Sequence, residues 1–297
     1  MSQKNQLPIV IEIEKEEAII FDKQIRKYRN KLIRPSQEIV DSICLKNAEI
    51  LKSIVDYKVI SKVISKLRTD VWEEFLKDEV EFNAAVMKDL HKVLKTPKKI
   101  LDVLIENKIT DKDGEELLIS IKELCGEYAG RVFPYLYKLS LSNTQSRRSR
   151  SGKTFEAIIY KIYEVLEYKF DSQGKVGRKI FDEVGLGKKV DSILPGIEEF
   201  NQRRNKTIIG TMKTSLRERW QEVAEEIERT KIPTIHLLTV DENISLSKAE
   251  EMGKHNIIVV AYSWIAESEK LKSAKNIISF EEYLFEELPI IFDFWES

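Results

Sequence analysis

The chain has 297 residues, 42% of them hydrophobic and 33% charged, with 49 Lys+Arg against 50 Asp+Glu for a formal net charge of −1. That is apolar material for roughly two domains, and the charge balance excludes a wholly disordered polymer and a uniformly basic nucleic-acid coat. With 11 Gly, 7 Pro, 2 widely separated Cys and 3 isolated His, the chain supports neither a collagen-like repeat, a disulfide framework nor a Cys/His metal cluster.

The opening MSQKNQLPIVIEIEKEE has no basic stretch leading into an apolar one, and no apolar run approaches the ~20 residues of a membrane span, so a soluble cytoplasmic protein is expected. Residues 14–139 read as helical, with apolar positions at three- and four-residue spacing, as in Val55, Val59, Val63 and Ile64 or Val86, Leu90, Val93 and Leu94. Residues 141–154, LSNTQSRRSRSGKT, are polar, basic and aperiodic, and read as a linker or functional loop. A helix is expected over 155–170, with Thr154 near its start as a cap. Then strands and helices alternate: strand 189–194, stopped by Pro195-Gly196, strand 207–213, helix 216–229 with a stripe of Leu216, Trp220, Val223 and Ile227, strand 233–240, helix 245–253 and strand 256–262. That order past residue 207 implies crossover connections and a largely parallel sheet. The tail, 280–297, carries six acids and no base and belongs away from an anionic ligand.

Ser151-Gly152-Lys153-Thr154 resembles the end of a phosphate-binding loop, but Arg147 stands where the motif needs its first Gly, and no strand precedes it. No nucleotide cofactor is expected. Bases without acids cluster at Arg147, Arg148, Arg150 and Lys153, and again at Arg203, Arg204, Lys206, Lys213, Arg217 and Arg219 with only Glu218 among them. Such patches suit a phosphodiester backbone, although most charge runs are solvated faces. Asp191, after a Gly-rich turn, and Lys213, at the end of the next strand, can meet at one sheet end if the two segments pair. Phosphodiester hydrolysis needs carboxylates to hold a divalent cation, and a neighbouring lysine to orient water and offset charge.

The run Thr211-Met212-Lys213-Thr214-Ser215-Leu216-Arg217-Glu218-Arg219-Trp220 resembles the signature of the PD-(D/E)XK type II restriction endonucleases of the SsoII, PspGI, EcoRII catalytic-domain and NgoMIV group. In that group the acid two residues before the lysine is missing and a glutamate of the following helix replaces it. Here Thr211 stands at the vacated position and Glu226, thirteen residues past Lys213, at the substitute one. Glu156 matches a further carboxylate position. The likeness is good over residues 147–262 and faint before 140.

The resemblance implies an α/β fold, a restriction-endonuclease-like mixed sheet flanked by helices, with residues 1–140 a helical region for dimerisation and DNA contact and 141–297 the catalytic core. It implies Mg²⁺ held by Asp191 and Glu226 with Glu156 in support, Lys213 positioning the attacking water, and hydrolysis of double-stranded DNA to 5′-phosphate ends. Arginine can donate twice to guanine and glutamate can accept from cytosine, so Arg217-Glu218-Arg219 suits adjacent G·C pairs. By the resemblance, these residues read the GG/CC half of a CC-N-GG or CC-W-GG palindrome. Arg68 and Trp72, one helical turn apart, resemble the arginine and aromatic on which the group stacks extruded central bases. The basic cluster from Arg147 to Lys153 would contact the DNA backbone. A palindromic site implies a homodimer, with higher assembly on DNA left open. The alternatives are a repair or junction nuclease of the same superfamily, or a non-catalytic DNA-binding protein on its fold.

Overall fold

The computed structural model describes residues 10–186 and 189–297. Residues 1–9, on which the reading of the N-terminus partly rests, and Gly187 and Lys188 of the Gly-rich turn lie outside them. The described residues form two compact units, one of residues 10–35 with 73–149 and one of 36–72 with 150–297. The sequence division at residue 140 groups 36–72 with the other helices, because periodicity reveals a buried face but not the surface that buries it.

The first unit is helical. Phe21, Ile25, Phe82, Val86, Leu90, Leu94, Ile100, Leu104, Val132, Tyr135 and Leu139 form its core. Val93 is 42% exposed, because the long Ile60–Lys88 helix ends before it and the short Leu90–Val93 turn rotates it outward. Glu17 is buried: its carboxylate accepts from the Thr96 N–H at 2.9 Å and from the Tyr135 hydroxyl at 2.5 Å. A carboxylate there satisfies an otherwise unpaired N–H at the start of the Lys95–Lys108 helix and complements its dipole.

Residues 141–154 are not a loop. They lie inside one continuous helix, Phe133–Val165, so Thr154 is an interior residue and no cap. Among the half-buried positions here, Ser142, Asn143, Ser146, Arg150 and Thr154 recur at helical spacing, and none of them is apolar. Asn143 donates to Asn83 at 2.8 Å, Arg29 donates to Ser142 and Asn143, and Thr154 meets Ser36 at 3.1 Å. Hydrogen bonds replace apolar contacts on the inward face, and a search for apolar periodicity misses the helix.

Among the described residues, the second unit is built on six strands in the order β1-β2-β3-β4-β5-β6. They are β1 Asp171–Ser172, β2 Ser192–Leu194, β3 Ile208–Lys213, β4 Ile235–Thr239, β5 Ile257–Ala261 and β6 Ile277–Ser279. The first two pairings are antiparallel and the last three parallel. The fold is therefore α/β with a mixed sheet. Every residue of β4 is buried, as expected for a parallel strand covered on both faces.

The expected helix over 216–229 begins only at Arg219. Arg217 has φ +30°, which no helix accommodates. Leu216 still enters the core beside Trp220 and Val223, but from a turn. Strand β2 starts at Ser192, one residue past Asp191, whose N–H nevertheless donates to the Gly210 carbonyl at 2.9 Å. In the acidic tail, buried Glu281 accepts from the N–H and hydroxyl of Ser61 at 3.0 and 2.7 Å, at the start of the Ile60–Lys88 helix. Glu286 accepts from Tyr57, and Glu287 meets His236. Those acids have partners within the unit. Among the described residues no helix is long and apolar enough to cross a membrane.

Candidate active site

Antiparallel pairing of β2 with β3 sets Ser192 opposite Gly210, which brings Asp191 beside the last residues of β3. Its Oδ2 accepts from the Met212 N–H at 2.6 Å, from the Thr211 hydroxyl at 3.3 Å and from the Lys213 ammonium at 3.5 Å. Lys213 Nζ also donates to Thr211 Oγ1 at 3.0 Å and to the Met212 carbonyl at 3.1 Å. Thr211, fully buried, thus donates to the carboxylate and accepts from the ammonium, using both capacities of a hydroxyl. The position that looks vacant in the sequence pattern is a bridge.

Glu156, on the Phe133–Val165 helix, feels the same charges. Burial first, and the Asp191 carboxylate second, push its carboxyl up to about 7, against the pull of Lys213 and Lys153. Tyr160, one turn on, donates to the Asp191 main-chain carbonyl at 2.9 Å. Burial, then the charges of Asp191 and Glu156, hold its phenol protonated well beyond the ordinary range. The sequence reading missed Tyr160; its four-residue spacing from Glu156 was the available signal.

Four glutamates crowd the Arg219–Thr230 helix, and burial separates them: Glu225 and Glu228 are exposed, Glu222 is half-buried, and Glu226 is buried. Glu222 pairs with Lys189. Glu226 pairs with Arg229 at 2.5 Å and is not among the charges that act on Glu156. Arg217, Glu218 and Arg219 are all exposed, between buried Leu216 and buried Trp220. Among the described residues, none of the three side chains makes an internal hydrogen bond or ion pair.

Arg68 donates to the Tyr262 hydroxyl at 3.1 Å, and the Tyr262 ring stacks on Trp264 with centroids 4.3 Å apart. Trp72 is 39% exposed. Arg147, in the first unit, is bound to buried Glu79 by both Nε and Nη2. Arg148 and Lys153 are exposed, and Arg150 is half-buried.

Among the described residues no three carboxylate, His or Cys side chains converge on a ready metal cluster. The donors nevertheless suit a hard cation. Among those residues, every hydrogen bond to the Asp191 carboxylate uses Oδ2, and the repulsion between Asp191 and Glu156 is of the kind a divalent ion relieves.

The family described as EcoRII C terminal matches residues 127–284. The type II restriction enzyme SsoII of Shigella sonnei is 33% identical over 225 residues, spanning 75% of this chain and 67% of that protein. Metal-depleted Ecl18kI in complex with uncleaved, modified DNA is similar in structure, with TM-score 0.72 and 26% identity over 93% of this chain and 85% of that one. The PspGI–substrate DNA complex shares the fold, with TM-score 0.57 and 18% identity over 89% and 94% of the two chains.

Proposed function

The chain belongs to the type II restriction endonucleases, in the family of the EcoRII C-terminal domain, and we propose that it cuts double-stranded DNA at a short G·C-flanked palindrome of CC-N-GG or CC-W-GG type. The reading takes Mg²⁺ as the cofactor, a homodimer as the acting form, 5′-phosphate ends as product and the cytoplasm as its place. One observation carries it: Lys213, half-buried and joined to Asp191 through buried Thr211, lies four residues before an exposed arginine in Arg217-Glu218-Arg219.

Asp191 and Glu226 would hold the ion, and Glu156 would support it. For Glu226 this means exchanging its Arg229 partner. Bound there, a divalent cation supplies charge to offset the phosphate and lowers the pKa of water. Lys213, fixed by Thr211 and the Met212 carbonyl, orients the attacking water and counters charge developing on the phosphate. Tyr160 holds the Asp191 backbone. The exposed arginines donate to guanine and Glu218 accepts from cytosine. Arg68 and Trp72 stack an extruded central base, and Arg148, Arg150 and Lys153 contact backbone phosphates, with Arg147 contributing from its pair with Glu79. A palindrome read by two copies gives one site per strand.

Digestion of DNA of known sequence with Mg²⁺, followed by sequencing of the ends, tests this reading. Discrete fragments ending at one G·C-flanked palindrome with 5′-phosphates support it. A smear points to a nuclease without site preference, and intact DNA to a protein that only binds.

A further inference from the structure

The turn between catalysis and recognition is held by residues assigned no role so far. Thr239 ends β4 directly opposite Lys213 in the parallel register and is fully buried. Its hydroxyl donates to the Lys213 carbonyl at 2.7 Å and accepts from the Asp241 N–H at 3.1 Å. Asp241 Oδ2 accepts from the Leu216 N–H at 2.7 Å, while its Oδ1 accepts from the Asn243 N–H at 2.9 Å. An unbroken run of hydrogen bonds thus links the backbone of the lysine to the residue just before the Arg-Glu-Arg triplet, through the end of a neighbouring strand. On the far side, the Leu216 carbonyl accepts from the Arg219 N–H at 2.6 Å. Between these anchors sits Arg217 at φ +30°, a backbone conformation uncommon for a residue with a side chain. Such a conformation persists only where its surroundings over-determine it.

We propose that Thr239 and Asp241 are positioning residues that couple base reading by Arg217, Glu218 and Arg219 to the placement of Lys213. The proposal rests on the function given above. A base pair that does not fit the triplet displaces the turn. Asp241 is bonded to Leu216, and Thr239 to both Asp241 and Lys213, so the displacement reaches the lysine. Discrimination then appears more strongly in the cutting step than in binding, as in sites that assemble fully only on the correct substrate.

The test uses the full chain, a duplex with the cleaved site, and duplexes with one G·C pair changed. Binding without metal and single-turnover cleavage with Mg²⁺ are measured on each. Thr239→Val removes the hydroxyl, Thr239→Ser restores it, and Asp241→Asn keeps size while exchanging one acceptor oxygen for a donor. Expected for Thr239→Val and Asp241→Asn is cognate binding within about threefold of wild type, cognate cleavage slower by about tenfold or more, and a cognate-to-altered cleavage ratio collapsed to the binding ratio. Thr239→Ser should recover that ratio. If Thr239→Val does not fold, Asp241→Asn carries the same test. Equal slowing on cognate and altered sites, leaving the ratio unchanged, would reduce both residues to structural supports and overturn the coupling. Wild-type protein cutting without site preference would instead overturn the function on which the coupling rests, so the two failures are distinguishable.

Discussion

The two basic stretches of this chain, residues 141–154 and 203–219, look alike in sequence, but Arg147 of the first differs from Arg217 and Arg219 of the second in what it does with its charge. In the first, Arg147 is committed to buried Glu79, and polar side chains make up the inward face of a helix. In the second, Arg217 and Arg219 stand exposed in and just after a turn, without ion pairs among the described residues, fixed by Leu216 and Trp220 in the core. A cluster of arginines therefore identifies a DNA surface only after the carboxylates that fold against it are known. A cation tied to a buried acid is expected to contribute chiefly to stability, whereas exposed arginines without an ion pair keep their donors available to a ligand.

The largest effects should fall beside that turn. Lys213→Ala should slow single-turnover cleavage by roughly 100- to 1,000-fold while leaving cognate binding near wild type. Glu226→Gln should be similarly inactive, whereas its exposed neighbour Glu225→Gln should cut normally. Matching activity in the two Gln variants, with metal dependence unchanged, would make Glu226 only a buried partner of Arg229.

Arg147→Ala should behave as a stability mutation. It leaves the Glu79 side chain, 4% exposed, without its guanidinium, at a cost of about 1–3 kcal/mol, read as a lower urea midpoint. Adding Glu79→Gln should return part of it. Unchanged stability together with a large loss of cognate binding would place Arg147 with the reading arginines instead.

Glu156 allows a pH test. Its carboxyl titrates near 7 in the folded protein, above the ordinary 4.5. Below 4.5 both folded and unfolded forms are protonated; between 4.5 and 7 only the folded form keeps the proton, so metal-free stability should fall as pH rises through that window and level off above 7. The full span is on the order of 3 kcal/mol, and Glu156→Gln should flatten it. An identical pH slope in variant and wild type would mean Glu156 is not the titrating group.

A smaller, spectroscopic effect concerns the central base. 2-Aminopurine placed at the centre of the site should change its fluorescence on binding wild type and change less with Trp72→Ala. Equal signals would remove Trp72 from base stacking.

Much of the sheet unit is legible because its signals are local. Alternation of apolar strand and amphipathic helix identifies β3, β4 and β5, and the pairing of β2 with β3 brings Asp191 to Lys213. The polar helix through 141–154 is not legible, because Asn83, Arg29 and Ser36 supply its inward contacts from remote sequence. Nor is the start of the Arg219–Thr230 helix, where Arg217 leaves helical geometry within an intact apolar stripe. The bridging role of Thr211 is invisible to a pattern that registers only a missing acid, whereas Glu226 is singled out by its spacing from Lys213 and differs from exposed Glu225 and Glu228 in being buried.

The contrast between the two arginine clusters is tested most directly by comparing Arg219→Ala with Arg147→Ala for binding to the cognate site and to a duplex with one G·C pair changed. Arg219→Ala should lose about 10- to 100-fold on the cognate site per half-site, at roughly 1–3 kcal/mol for each base contact, with little change on the altered one. Arg147→Ala should leave the ratio of the two affinities at the wild-type value. An undiminished ratio in Arg219→Ala, or a collapsed one in Arg147→Ala, would contradict that contrast.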